Sequence, residues 1–123
     1  MPKATRAVQE AARSTVHERD QGRCCMCGIY ITDGNGAQHH RVAKGMGGSA
    51  LLESPSNLVT LCGRGNNDLC HGKVHGNPEW ARNHGWIVSR HLDPREIPVD
   101  MCDGWVLLDD AGRRHPYTGE GAA

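Results

Sequence analysis

The first twenty residues place apolar and polar side chains on opposite sides of an α-helix. Small apolar residues recur at intervals of four, at Ala4, Val8, Ala12 and Val16. Arg6, Glu10 and Arg13 fall on the other side, which is typical of an amphipathic surface helix. We predict that this helix ends near Asp20, because Gly22 can adopt the left-handed conformation that often follows a helix end.

Short apolar runs between glycine-rich segments predict strands and turns in the middle of the chain. Residues 29–32 are β-branched and aromatic, and turn-forming residues follow them, so we predict a hairpin whose returning strand carries His39 and His40. Residues 45–55 lack periodicity and contain three glycines. This composition indicates a long loop before the apolar run at residues 58–61.

Capping residues predict two short helices after that run. A cap at residues 67–68 begins a helix that carries His71 and His75. Asparagine followed by proline at residues 77–78 begins a second helix, which ends at Gly85.

The last third of the chain has the pattern of strands. Residues 85–88 and 104–108 combine tryptophan with β-branched and aliphatic residues, and a turn is predicted at residues 110–112. Residues 118–123 are expected to fray. We find no candidate chemistry in this tail and predict a structural role for it.

Composition predicts a small domain that needs a crosslink. The chain has 123 residues, 37% of them hydrophobic, and no phenylalanine, so its apolar core is small. Residues 1–13 are charged and lack the apolar segment of a secretory signal, so we expect a cytoplasmic protein with reduced thiols. No apolar run could span a membrane. The six cysteines therefore indicate zinc rather than disulfides.

The formal net charge is zero, but its distribution is uneven. Residues 1–75 hold nine Lys or Arg and six Asp or Glu, whereas residues 76–123 hold five and eight. The first segment thus carries +3 and the second −3, which is modest support for a nucleic-acid partner. An ordinary mixed surface is an equally good interpretation of charge alone.

Four cysteines have the spacing of a zinc site. Cys24 and Cys27 form a Cys-x-x-Cys pair followed by Gly28, and a tight turn of this kind aims two thiolates at one ion. We predict Cys62 and Cys70 as the second pair, because the glycine-rich segment between them can loop out and return. Such a site stabilises the fold and leaves no coordination position for chemistry.

The other two cysteines are predicted bystanders. Cys25 is an alternative ligand to Cys24, but it would form a less usual Cys-x-Cys pair with Cys27. Cys102 is isolated, and we predict that it packs as a small buried apolar residue.

Four of the eight histidines form two local groups. His71 and His75 are four apart, so both imidazoles lie on one helix face and can bind one metal ion. His39 and His40 are neighbours on a predicted strand and point to opposite faces, so we expect one ligand and one base. Three neutral imidazoles leave a coordination position for a phosphate oxygen, which predicts metal-dependent hydrolysis.

These residues resemble the signature of the HNH endonucleases. The matching segments are His39-His40, Asn57 with the apolar run ending at Cys62, and Cys70-His71-x-x-x-His75. The bracketing cysteines are similar to those of the zinc-containing branch of this family. Residues 44–49 and 70–75 look like small HNH proteins of tailed bacteriophages, and the resemblance covers residues 15–90.

The resemblance implies an α+β protein with a small ββα-metal fold, also called a His-Me finger. The sequence pattern adds an N-terminal helix, the structural four-cysteine zinc site and a C-terminal β-rich extension to this fold. The nuclease domain would comprise residues 1–90, and residues 91–123 would form the extension and tail.

The resemblance also implies a role for each site residue. His39 would be the first ligand of a catalytic divalent ion, and His71 and His75 would complete the set. His40 would be the general base, since an imidazole titrates near working pH, and Asn57 would orient the segment that carries it. Candidate ions are Zn²⁺, Ni²⁺, Co²⁺ and Mn²⁺, which imidazoles accept, and Mg²⁺, which prefers oxygen ligands.

The predicted function is that of a DNA endonuclease. Basic residues near the site are predicted to hold the phosphate backbone, namely Arg41, Lys44, Arg64 and Lys73. By analogy with the phage proteins, the enzyme would act beside the DNA-packaging terminase in the bacterial host cytoplasm, with weak sequence preference. The alternatives are a non-catalytic zinc-dependent DNA-binding or assembly module, which has no need of a base at His40, and a purely structural two-metal protein.

Overall fold

The computed structural model describes residues 5–32, 34–43, 50–65 and 67–119. Lys44 and the rest of the glycine-rich segment at residues 44–49 lie outside these ranges, as do residues 120–123 of the predicted frayed tail. Within the described ranges, no helix has the length and apolar character needed to cross a lipid bilayer.

The predicted N-terminal helix is α1, Arg6–Asp20. A threonine side chain caps its first turn, which satisfies one backbone N–H that has no partner inside the helix. The helix ends where the sequence predicts, and Gln21 and Gly22 follow it in left-handed conformations. Its buried face packs Val16 against Leu58, which joins the helix to the central sheet.

A two-stranded antiparallel sheet lies at the centre of the molecule. β1, Gly36–His40, pairs with β2, Leu58–Cys62, and the register aligns His39 with Val59. Every residue of β2 is buried, as expected for a continuous apolar run.

The hairpin predicted between residues 29–32 and β1 is wrong. Tyr30 forms an isolated bridge with Arg23, and the N–H of Ile31 donates to the carbonyl of Gly22 at 2.9 Å. The cysteine-rich turn reverses the chain between these residues, so the segment pairs with the chain before it. β1 takes β2 as its partner instead.

Two helices follow β2, as predicted from their caps. α2, Leu69–Gly76, begins after Asp68 and packs against both strands of the central sheet. α3, Pro78–Asn83, begins after Asn77 with proline in its first turn. The order strand, strand, helix therefore places His39 of β1 opposite the histidines of α2.

A second antiparallel sheet forms the C-terminal region. Its strands are β3, Val99–Met101, β4, Gly104–Leu108, and β5, Arg114–Pro116, in the order β3-β4-β5. The prediction of β4 is confirmed, and a turn joins it to β5 at residues 110–112.

The strand predicted at residues 85–88 is wrong. The N–H of Trp86 donates to the carbonyl of Ala81 at 2.9 Å, and the N–H of Val88 donates to the carbonyl of Arg41 at 2.9 Å. These bonds bind the segment to the end of α3 and to the chain after β1, so it joins no β-ladder. The sequence pattern also missed β3, which is only three residues long.

One hydrophobic cluster connects both sheets and the helices after β2. Its buried members include Val59 and Leu61 of β2, Val74 of α2, Trp86, Val99 of β3 and Leu108 of β4. The described residues thus form a small α+β protein with three helices and two antiparallel sheets. The predicted fold class is correct at this level.

Candidate metal centres

The four predicted cysteine ligands converge on one point. The Sγ atoms of these residues all lie within 4.8 Å of one another, and the residues are Cys24, Cys27, Cys62 and Cys70. The Sγ atoms of Cys27 and Cys62 are 3.8 Å apart. A zinc ion that binds sulfur tetrahedrally at about 2.3 Å places the sulfur atoms about 3.8 Å apart. The four thiols can therefore hold a metal ion such as zinc, and the prediction of their grouping is confirmed.

Two glycines make this convergence possible. Gly28 has φ +83°, and its N–H donates to the carbonyl of Cys24 at 2.8 Å, which closes the turn between the first two ligands. Gly63 has φ +110°, and a Cβ atom there would lie 2.2 Å from the carbonyl oxygen of Asp68. Only glycine permits this close approach, which returns the chain from Cys62 to the start of α2.

The surroundings shift the pKa values of the cluster thiols in different directions. Burial raises the pKa of the Cys70 thiol and that of Cys62. Burial also raises the pKa of Cys24, but backbone hydrogen bonds outweigh it and leave the pKa of this thiol below its ordinary value. Crowded thiolates repel one another, so a divalent ion is the group that would stabilise all four together.

The remaining cysteines lie apart from this cluster. Cys25 is buried, and its Sγ atom lies 3.7 Å from Nη2 of Arg114, which also binds Asp20. Cys25 therefore does not replace Cys24 as a ligand. Cys102 is exposed, so the prediction that it packs as a buried residue is wrong.

A second cluster joins three imidazoles from β1 and α2. One ring nitrogen from each of His39, His71 and His75 lies within 4.8 Å of the others. The Nε2 atoms of His71 and His75 are 3.1 Å apart. Two nitrogens bound to one ion at about 2.0–2.1 Å are about 3.0–3.4 Å apart, so this separation fits a shared ion.

Hydrogen bonding and burial prepare His39 as a neutral ligand. Its Nε2 donates to the carbonyl oxygen of Trp86 at 2.8 Å, because a carbonyl can only accept, and Nδ1 is the nitrogen left for a metal. Burial lowers the pKa of His39 to about 4. Burial and the neighbouring His75 lower the pKa of His71. The sequence pattern did not identify Trp86, because its backbone carbonyl carries no side-chain signal.

His40 opens on the same cavity as the three-histidine cluster. This cavity, of about 370 Å³, is lined by His39, His40, His71 and His75, among others. The His40 ring does not belong to the metal-binding group. Its Nε2 lies 3.0 Å from Oε1 of Glu53, a partner that the sequence analysis did not single out. Glu53 is the single acidic residue between residues 44 and 60, which is the one sequence signal that marks it.

Asn57 connects the chain segment after His40 to the segment that carries Glu53. It is completely buried, and its Oδ1 accepts from the N–H of Val42 at 2.7 Å. Its Nδ2 donates to the carbonyl of Val42 at 3.2 Å and to that of Leu52 at 3.0 Å. The Asn57 side chain thereby ties the chain just after His40 to the chain just before Glu53.

The predicted DNA-contacting residues have different environments. Arg41 is 1% exposed, and its guanidinium donates to the carbonyls of Gly85, Ser56, Pro94 and Ile97. The prediction that Arg41 holds phosphate is corrected, because its donors are engaged inside the protein. Arg64 and Lys73 are exposed, and Lys44 lies outside the described residues.

Comparisons of the chain with protein-family models, with curated proteins and with solved structures find no match. Membership of the HNH family therefore stays a prediction from the motifs. The two ligand clusters and the cavity beside the histidines are what the structure itself contributes to the question of function.

Proposed function

We propose that this chain is a metal-dependent DNA endonuclease of the HNH kind. The observation that carries the proposal is the convergence of His39, His71 and His75 at a cavity that His40 also lines. Three nitrogen ligands are a set that leaves coordination positions open, unlike the four thiols nearby. A fourth imidazole beside this set supplies the proton acceptor that hydrolysis requires.

Each histidine has a defined part in the proposed reaction. His39, His71 and His75 would hold a divalent cation, which when bound stabilises negative charge on the phosphate oxygens. His40 takes a proton from the attacking water, so that a water O–H bond breaks and an N–H bond forms on the ring. The water oxygen then attacks phosphorus, and a sugar oxygen leaves with the electrons of the cleaved P–O bond.

DNA is the proposed substrate because the motif resemblance implies it, and because exposed cations lie on the chain segments that carry cluster residues. Lys73 lies on α2 between His71 and His75, and its Nζ is 4.3 Å from the centre of the Trp80 ring. Arg64 lies in the segment between Cys62 and Cys70 and is exposed. Contacts from these side chains would hold the phosphate backbone without reading sequence. Action beside a phage packaging terminase in a bacterial cytoplasm is the narrower proposal, and it rests on the motif resemblance.

A plasmid assay tests the proposal. Purified protein is incubated with supercoiled plasmid and Mg²⁺, Mn²⁺, Co²⁺, Ni²⁺ or Zn²⁺, and wild type is compared with His40→Ala. We expect nicked or linear product from wild type with at least one metal. Loss of the base should lower the rate by about 100-fold or more.

Two results would contradict the proposal. Equal cleavage by wild type and His40→Ala would remove the assigned base. Binding of DNA by both proteins without cleavage under any metal would favour a zinc-dependent DNA-binding or assembly module instead.

A further inference from the structure

The carboxylate of Glu53 is almost completely buried and lies against the proposed base. Only 1% of its side chain is exposed, and Oε1 is 3.0 Å from Nε2 of His40. A buried carboxylate is costly unless it is hydrogen-bonded or paired with a cation. We infer that Glu53 is a positioning residue that sets the orientation and tautomer of His40, an inference that rests on the proposed nuclease function.

The chemistry of this contact determines which ring nitrogen can act. An ionised carboxylate can only accept, so the hydrogen bond requires a proton on Nε2 of His40. In the neutral ring the lone pair then resides on Nδ1, which becomes the nitrogen that takes a proton from water. After the transfer the ring is a cation, and the negative charge of Glu53 stabilises it. Carboxylates have the same effect on the base of serine proteases.

The backbone on both sides of the pair is fixed by Asn57. Its amide binds Val42, two residues after His40, and Leu52, the residue before Glu53. A buried side chain with three backbone hydrogen bonds therefore joins the segment that carries the base to the segment that carries its carboxylate.

The first experiment is a double-mutant cycle on plasmid cleavage by the metal-loaded protein. Glu53→Gln keeps the shape of the side chain but removes its charge, and we expect kcat to fall about 10- to 100-fold with KM unchanged. In a His40→Ala background the same substitution should have no further effect, because a positioning residue acts through the base. Asp109→Asn is the matched control. It removes the acid of the exposed His115–Asp109 pair, outside the cavity, and should leave kcat unchanged.

The second experiment reads the tautomer directly and needs no catalysis. Ring ¹⁵N resonances of the wild-type protein should show His40 protonated on Nε2, with the signal identified by its loss in His40→Ala. In Glu53→Gln the proton should redistribute between the two nitrogens. A purely structural role for Glu53 would change the melting temperature without moving the proton.

The possible outcomes separate this inference from the proposed function. A wild-type protein that cuts DNA, together with a Glu53→Gln variant that cuts equally well, overturns the role of Glu53 alone. The role of Glu53 is also overturned if Glu53→Gln lowers kcat equally in the wild-type and His40→Ala backgrounds. A wild-type His40 that is protonated on Nδ1 overturns it as well. A wild-type protein that fails to cut DNA with every metal tested overturns the proposed function and this inference together.

Discussion

The two ligand clusters share helix α2 but differ in number and kind of ligand. Cys70 and His71 are consecutive, yet the first belongs to a set of four thiols and the second to a set of three imidazoles. Four ligands occupy every coordination position of a tetrahedral ion, whereas three ligands leave a position for an oxygen atom. From this comparison we propose that the cysteine cluster stabilises the fold and that the histidine cluster supports chemistry.

The backbones that carry the two clusters differ as well. The cysteines come from a tight turn, the end of β2 and the start of α2, and glycine permits the close approaches that join them. The histidines come from inside β1 and α2, two regular elements that pack against each other. Regular elements hold side chains more precisely than loops do, which suits ligands at a reactive site.

The largest effect should come from removing a thiolate. We expect Cys70→Ser to lose its metal and the cooperative fold, because a structural zinc contributes about 10–16 kcal/mol. That exceeds or matches the whole stability of a small domain, about 5–15 kcal/mol. Thiolate-to-cobalt charge-transfer absorption, which imidazole ligands lack, reports the cysteine site, and thermal circular dichroism reports the fold. Cys102→Ser, outside the cluster, should resemble wild type.

An unchanged cobalt spectrum and melting temperature in Cys70→Ser would contradict the closed-site assignment. The same outcome would imply that three thiols suffice and that the two clusters are more alike than their geometry indicates.

Removing an imidazole should affect catalysis while leaving the fold intact. We expect His75→Ala to lower cleavage by about 100-fold or more, because the metal stabilises transition-state charge by several kcal/mol and 1.4 kcal/mol is about tenfold. His75 is exposed, so the melting temperature should change little. The control is His91→Ala, another exposed histidine that lies outside the cluster. A His75→Ala protein that cuts normally would make the three-imidazole site a structural one.

The ligands of both clusters could be predicted because their signals are local. The spacing of Cys24 and Cys27 and the helical spacing of His71 and His75 each need only one turn or one helix face. Cys62 and the segment after it were identified from glycine content, and the structure gives Gly63 the close approach that this requires.

The features that sequence analysis missed depend on long-range contacts. The choice of β2 as the partner of β1 is decided by burial, which a short turn signal does not report. Arg41 follows His40 directly, and its position in the sequence does not report that its guanidinium is buried. Both residues line the cavity, but the guanidinium of Arg41 donates its hydrogen bonds to backbone carbonyls inside the protein. The contact of Glu53 with His40 spans thirteen residues and carries no motif.

The smallest effects should come from the exposed cations, which test where bound DNA contacts the protein. Lys73 lies on α2, on the face opposite His71 and His75, and Arg64 lies in the segment between Cys62 and Cys70. We expect each alanine substitution to lower the slope of log affinity against log salt by about 0.9, the value for one released counterion. Fluorescence anisotropy in a His40→Ala background measures binding without cleavage, and the control is Arg113→Ala, an exposed residue just before β5. A change with Lys73→Ala but none with Arg64→Ala would assign the DNA contact to α2 and not to the segment between Cys62 and Cys70. No change in either would contradict both contacts, because an exposed cation on bound phosphate cannot leave the salt dependence unaltered.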